Sequence, residues 1–296
     1  NFLIPSFDQS MILLLLLIMI LIIYKIETNN INYKNILIVF LLGTIIVNFN
    51  PFSKTEIYFW DVGNGDSCFI RTKNNVKILI DTGKKSEYSS VSKILLKNGI
   101  KNLDFVFLTH SHKDHIGGMN EIVKAHKIDN LVLSKYSNIN QEIEKIIKKV
   151  NSNIYYLMKD DKIVIGSSIF KFFSPYGDES LGENNQSLVF SYIENDKKIL
   201  FTGDIEKEVE KNIVNFIDSD YDILKVAHHG SDTSSTKEFL EKTSPKASVF
   251  QVGENNYGHP SKSVINRFKD LNINIYRNDE NGCVKFILNE NIQIVD

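Results

Sequence analysis

Two long apolar blocks open the chain, and the pattern changes character after them. Residues 11–24 form an unbroken apolar run, MILLLLLIMILIIY, and residues 36–49 form a second, interrupted only by Gly43, Thr44 and Asn48. Neither block has a polar face, so neither reads as an amphipathic surface helix. The flanking FLIPSF and INY extend both toward the about 20 residues that a spanning helix needs. A signal peptide would show one apolar region and a small-residue cleavage site, and neither is found after Tyr24. Two transmembrane helices are therefore expected within residues 1–51. The loop between them, KIETNNINYKN, carries Lys25 and Lys34, while the segment before the first block carries no Lys or Arg. The positive-inside rule puts that loop in the cytoplasm and both flanks outside, although Lys54 argues the other way. The chain begins at Asn1 rather than Met, so the expectation is the tail of a longer protein.

From residue 55 onward, short apolar runs alternate with turns. EIYFWDV, CFIRT, VKILIDTG and DFVFLTH read as strands, the last ending at a histidine. Helices are predicted at 91–97, 118–126, 141–150, 206–216, 235–243 and 261–271. Further strands are predicted at 153–157, 162–173, 187–193, 198–202, 222–227, 246–251, 274–277 and 282–288. Early strands follow one another as hairpins and later ones alternate with helices. That mixture predicts two sheets with helices outside, in one α/β domain over residues 52–296.

Composition narrows the class. The chain is 43% hydrophobic and 24% charged, too apolar for a disordered tail. A net charge of −2 excludes a basic nucleic-acid coat. Cys68 and Cys283 are too few for a disulfide scaffold and form no CxxC pair.

The chemistry concentrates where apolar strands end. Thr109-His110-Ser111-His112-Lys113-Asp114-His115 follows the strand residues 105–108 and precedes Gly117-Gly118. In an extended segment His110 and His112 point to one side, and Asp114 and His115 follow as the chain turns into a helix. Neutral imidazole and carboxylate suit zinc, manganese or iron. Three other strand ends carry Asp81-Thr82-Gly83, Thr202-Gly203-Asp204 and His228-His229-Gly230-Ser231. Singly these read as ordinary turns or a helix cap. Four strands delivering metal-type side chains at their C-terminal ends, where α/β sheets gather ligands, are not explained as turns.

These stretches resemble the metallo-β-lactamase fold, whose pattern is an early Asp, HxHxDH, a later His, a later Asp and a final His. More narrowly, YFWDVGNGDSCFI, LIDTG, LTHSHKDHIGG, NNQSLVF, LFTGD, ILKVAHHGSDTSS and NNYGHPS resemble the C-terminal domain of the ComEC family of competence DNA-uptake channels. The order and spacing match over about residues 55–290, and two apolar helices before the domain match the end of that channel. The fold implied is an αββα sandwich preceded by two transmembrane helices. Two departures stand out. Asn64 replaces a Gln, and the middle His of two-metal hydrolases has no counterpart, Asn184-Asn185-Gln186-Ser187 standing near its place.

The resemblance implies one or two divalent ions, zinc or manganese. His110 and His112 would hold the first, Asp114, His115 and His228 the second, and Asp204 would bridge them. Asp81 would orient a ligand histidine, with Asn185, His229 and Ser231 behind the ligands or against the substrate. Asp66, in its Gly-Asn-Gly turn, would touch substrate. Ser231–Ser235 would offer hydroxyls and a helix N-terminus to phosphate. His259 would donate a proton to the leaving oxygen. Asp114 and Asp204 complete the expected catalytic set. The implied activity is a membrane-tethered nuclease that degrades the strand not imported during DNA uptake, acting on single-stranded DNA beside an upstream channel domain and other competence proteins. Its hydrolase domain would lie outside the cytoplasm. Two other readings stay open: an esterase or phosphodiesterase on a small or cell-wall substrate, and a DNA guide with a decayed metal site. Charge is the main counterargument to DNA. Residues 56–296 carry 31 Lys and Arg against 34 Asp and Glu, leaving phosphate contacts to metals and to lysines such as Lys113, Lys225 and Lys237.

Overall fold

The computed structural model describes residues 54–85, 90–178, 180–288 and 293–295, together with Ile20 and Tyr24. The two apolar blocks expected to span a membrane lie outside the described residues, apart from those two positions. Among the described residues no helix is long and apolar enough to cross a membrane.

Two sheets form the frame. The first holds β1 (Thr55–Phe59), β2 (Cys68–Arg71), β3 (Lys77–Ile80), β4 (Asn102–Leu108), β5 (Lys127–Ser134) and β6 (Asn153–Leu157). The second holds β7 (Lys162–Ile165), β8 (Ser168–Ser174), β9 (Val189–Glu194), β10 (Lys197–Phe201), β11 (Ile223–Lys225), β12 (Ala247–Phe250) and β13 (Asn274–Arg277). The chain then returns to the first sheet as β14 (Val284–Leu288) and β15 (Gln293–Val295). The first sheet is ordered β15-β14-β1-β2-β3-β4-β5-β6, the second β13-β12-β11-β10-β9-β8-β7. Each is antiparallel in one half and parallel in the other. β3 to β6 run parallel, and so do β10 to β13.

Central strands are buried on both faces, which is why they read as near-continuous apolar runs. Successive side chains point to opposite faces. In β4, Phe105 and Phe107 pack between the sheets against Phe170, Phe172 and Phe190, while Val106 and Leu108 face outward. That outer face is covered by α1 (Val91–Lys97), α2 (Lys113–Ile116), α3 (Met119–Ala125) and α4 (Gln141–Lys149) through Leu95, Ile116, Met119, Ile122 and Ile143. The second sheet is covered likewise by α5 (Lys207–Ile213), α6 (Lys237–Thr243) and α7 (Lys262–Asp270) through Val209, Ile213, Phe239, Val264 and Phe268. A one-turn α8 (Asn278–Asn281) leads into β14. The result is the αββα sandwich expected. Trp60 stacks on Phe69 at 5.3 Å within the outer core of the first sheet.

Local differences have local causes. The strand expected over 162–173 is two strands, β7 and β8, reversing at Gly166, whose φ of +59° is a left-handed turn conformation. β5 and β15 were not foreseen; KIDNLVLS lacks clean alternation.

The parallel halves of both sheets end at one edge of the sandwich. Asp81 follows β3, residues 109–115 follow β4, Gly203-Asp204 follow β10, and a 3-10 turn over Ala227–Gly230 follows β11. Topology therefore collects the polar strand ends in one place.

Candidate metal centre

Asp114, His115, Asp204 and His229 meet at that edge, each offering one donor atom within 4.8 Å of the others. His115 Nε2 lies 3.2 Å from Asp204 Oδ2, and His229 Nε2 lies 3.5 Å from the same oxygen and 3.4 Å from Asp114 Oδ2. Asp114 and His115 come from the loop and first turn after β4, Asp204 and His229 from the second sheet. The site thus stands on both halves of the sandwich.

The backbone makes this convergence possible at a few tight places. Gly203 has φ +52°, and a Cβ there would sit 2.6 Å from Ser187 Cβ, so only glycine lets Asp204 approach. His228 and His229 are both left-handed, at φ 50° and 54°, which is uncommon for a residue with a side chain and turns the His229 ring inward.

Each inward histidine is held from behind. His115 Nδ1 lies 2.8 Å from Asp81 Oδ2, and Asp81 also accepts from the Thr109 N–H and hydroxyl. His229 Nδ1 donates to the Gln251 carbonyl at 2.7 Å, while the Gln251 amide donates to the carbonyls of Trp60 and Ser67. These bonds fix the tautomer and leave both Nε2 atoms for the site, the arrangement found behind metal-ligating imidazoles. His115 Nε2, His229 Nε2 and Asp204 Oδ1 are buried and lack a hydrogen-bond partner. Buried polar atoms without partners are costly. Imidazole nitrogens and carboxylate oxygens left open together fit a divalent transition ion.

The other expected residues divide into three groups. His110 and His112 stand beside this set, His110 Nε2 being 3.0 Å from His112 Nδ1, with His110 buried and His112 exposed at the rim of an open depression lined also by Lys113, Asp114 and Glu183. Asp66, expected against substrate, is instead buried behind the site, 3.3 Å from His229 Nδ1 and 3.7 Å from His115 Nδ1. Asn185, expected near the missing histidine, accepts on its Oδ1 from the Glu206 N–H at 2.8 Å.

The remaining positions depart from expectation. The geometry exchanges His228 and His229: the first points away, its Nδ1 3.6 Å from Glu206 Oε1 and its ring edge-on to His259 at 5.5 Å. His259 lies on that outer side. Residues 231–235 begin no helix. α6 starts at Lys237 under a Thr236 cap, and the Ser231 hydroxyl is paired with that of Thr233 while Ser234 donates to the Ile205 carbonyl. Lys225 is 2% exposed and pairs with Asp66, so it is not available to a substrate phosphate, whereas Lys113 and Lys237 are exposed.

Sequence reasoning passed over Gln251 and Glu183, and took Lys225 for a phosphate contact. Glu183 accepts from the Ser111 N–H and hydroxyl, the Asn138 N–H and the Ser137 hydroxyl, tying the histidine loop to the loop before α4. The available signal for Lys225 was a lysine inside an otherwise apolar strand, ILKVA.

Charge is strongly organised. Burial disfavours the imidazolium of His229, but Asp204 and Asp66 outweigh it and raise the group to about 10. His115 is raised in the same way, burial being overcome by Asp204, Asp81 and Asp66. Burial would raise the Asp204 carboxyl, yet His115 and His229 hold it well below its ordinary value. Burial and the neighbouring His115 push His110 well down, so it is neutral. This is a nest built for positive charge.

A family model for the metallo-beta-lactamase superfamily matches residues 60–254. ComE operon protein 3 of Bacillus subtilis is 32% identical over 256 residues, covering 79% of this chain and 33% of that protein. Competence protein ComA of Neisseria gonorrhoeae is 28% identical over 240 residues, covering 80% of this chain and 33% of that protein. The chain spans about a third of the length of these homologues. Among solved structures, the metallo-beta-lactamase fold protein YhfI from Bacillus subtilis superposes with a TM-score of 0.55 at 12% identity, over 78% of this chain and 99% of that one, which is a likeness of fold.

Proposed function

Because the chain belongs to the metallo-beta-lactamase superfamily, we propose that it is a metal-dependent phosphodiesterase acting on DNA, a nuclease for the strand left outside during DNA uptake. The observation that carries this is the four-donor group of Asp114, His115, Asp204 and His229, with its unpartnered buried atoms. The similarity to competence proteins supports the DNA-uptake setting. When bound there, a zinc or manganese ion supplies Lewis acidity toward a phosphoryl oxygen and a water acidified toward neutrality. The chain's own part is to hold and orient. Asp81 and the Gln251 carbonyl fix the two imidazoles, and Lys113 at the rim of the depression attracts a phosphodiester. His259, against His228 on the outer side, is read as the proton donor to the leaving oxygen.

Residues 1–51 are read as two membrane helices that tether the hydrolase domain of residues 52–296 outside the cytoplasm, beside the remainder of an uptake channel. The warrant is the pair Lys25 and Lys34 between two apolar blocks. A second reading, hydrolysis of a small phosphodiester, is favoured by the excess of acidic over basic residues after residue 55, which leaves little for a long polyanion to hold.

The test uses the full chain in detergent, stripped by chelation and reloaded with manganese or zinc. Metal-dependent cleavage of both single-stranded DNA and bis-p-nitrophenyl phosphate is expected, lost in Asp204→Ala with the fold retained. Cleavage of the small ester alone supports the second reading. Failure to bind metal under any loading condition overturns both.

A further inference from the structure

Leu108 on β4, Leu133 on β5 and Tyr156 on β6 stand in register at the strand ends that feed the metal centre. Together with Ile139, from the loop before α4, they line a shallow slot. The slot reaches His110, whose ring lies 4.1 Å from that of His115. Asn138 lines both this slot and the depression of His112, Lys113 and Asp114, so the two adjoin. Tyr156 is 42% exposed and Ile139 47%. Single exposed apolar side chains are ordinary on a surface, but here two share one mouth beside the centre.

The lining decides what chemistry fits. Among the described residues that form the slot, none is Asp, Glu, Lys or Arg. Its two serine hydroxyls are committed, Ser134 to the Gln186 carbonyl at 2.5 Å and Ser137 to Glu183. A cationic head group finds no counter-ion there, and a sugar would leave its own hydroxyls unpaired. A flat, neutral ring with an apolar face matches what the slot exposes. The space inside holds no more than about one water molecule, so a ring lies across the mouth against Tyr156 and Ile139. Glu183 fixes the slot relative to the centre, since it joins Ser111 of the histidine loop to Ser137 and Asn138.

We propose that this slot is a nucleobase subsite, in which Tyr156 and Ile139 stack the base of a nucleotide flanking the scissile phosphate. The phosphate itself lies in the adjoining depression beside Lys113. This rests on the metal-dependent phosphodiesterase reading above and narrows its substrate to a strand with unpaired bases, against a small ester. Every base offers a π-face, so stacking tolerates sequence. A base inside a duplex has that face covered by its neighbours, so the subsite favours single strands. Stacking also supplies a hold on the strand that the shortage of basic residues after residue 55 denies.

The experiment compares two oligomers on the full chain in detergent, loaded with manganese. One is a single-stranded thymidine oligonucleotide, the other an oligomer of the same length built of abasic tetrahydrofuran residues, with the same charge and no bases. The wild type should prefer the thymidine oligomer in kcat/KM by at least about 5-fold and by up to about 150-fold, the worth of one stacked base. Tyr156→Ser should bring that ratio below about 2, Ile139→Ser should lower it part of the way, and Tyr156→Phe should keep it. Fluorescence anisotropy of the same oligomers on the stripped chain reads the preference without catalysis and should give the same order. A misfolded variant loses both rates together, and Ile139→Ser, in an exposed loop, then carries the test. Equal cleavage of both oligomers by the wild type overturns the subsite, needs no variant and leaves the nuclease reading intact. A preference unchanged in folded Tyr156→Ser and Ile139→Ser overturns the subsite as well. Cleavage of neither oligomer removes the nuclease reading and this one together.

Discussion

His228 and His229 share a left-handed backbone yet send their rings to different places, and the difference is a testable statement about single residues. His229 is buried and braced by the Gln251 carbonyl; His228 is partly exposed and faces Glu206 and His259. His229→Ala should therefore weaken manganese binding by more than about 100-fold, since loss of a ligand exceeds the roughly 10–100-fold typical of losing a residue behind one. His228→Ala should leave affinity within a few-fold and lower turnover instead. Asp81→Ala belongs between them, at about 10–100-fold, because it removes the carboxylate behind His115 Nδ1 and leaves the Thr109 donors unmet. Titration calorimetry on the stripped chain measures all three, and equal losses for His228→Ala and His229→Ala would return His228 to the centre. Much of this site was legible as residue types: HxHxDH, the DTG and TGD turns and the double histidine announce themselves by chemistry. Which histidine of a pair faces inward was not legible, because that depends on two positive φ values and on a carbonyl from β12's end some 20 residues away. Lys225 was misread as a phosphate ligand because a sequence shows a charge but not what buries it.

At the scale of elements, the segment after His229 is held by two helices rather than by its own structure. Glu210 of α5 is buried and accepts from the Ser235 N–H at 2.5 Å and the Thr236 N–H at 2.8 Å. Arg267 of α7 donates to the Ser234 and Ser235 carbonyls at 2.9 and 2.5 Å. The run of hydroxyl residues is thus pinned by both helices at its C-terminal end, over Ser234 to Thr236. Glu210→Ala leaves one buried and one half-buried donor unpaired at about 1–3 kcal/mol each, and Glu210→Gln, which keeps one acceptor, should cost about half as much. Chemical denaturation measures both, and a loss below about 0.5 kcal/mol in Glu210→Ala would show that water replaces the carboxylate. The sheets themselves were readable from apolar runs of strand length, and the two-sheet arrangement from hairpins giving way to alternating helices. The Gly166 hairpin and β5 were hidden because a half-buried edge hairpin and a doubly buried central strand share the same run of apolar letters until their neighbours are known.

At the scale of the whole molecule, the centre takes two donors from the first sheet's side and two from the second, so its charge state is coupled to the stability of the sandwich. In the metal-free chain the His229 imidazolium sits near Asp66, Asp114 and Asp204 and titrates at about 10, against an ordinary value of 6.5. A group whose folded value is raised contributes stability that is complete below its unfolded value and is lost as pH rises through the folded one. Asp114 and Asp204 work in the opposite sense. Their folded values are lowered, Asp114 by its bond to His229 and by His115 against the opposing effect of burial, so their contribution is present above pH about 4 and is lost on further acidification. The metal-free chain should therefore be most stable between pH about 4 and 6.5 and should soften steadily toward pH 10. A bound divalent ion requires the imidazoles to be neutral, so binding releases protons and tightens over that same rise in pH. At free metal 100 times the dissociation constant, mass action adds about 2.7 kcal/mol. For a domain of this size that raises the melting temperature by about 5–11 °C. Melting curves of the full chain, stripped and manganese-loaded, should diverge as pH increases from 6.5 to 10, the stripped form falling and the loaded form holding. A stripped chain whose melting temperature is flat across that window would mean that His229 is already neutral without metal, and that the nest of carboxylates around it is screened by something other than the imidazolium.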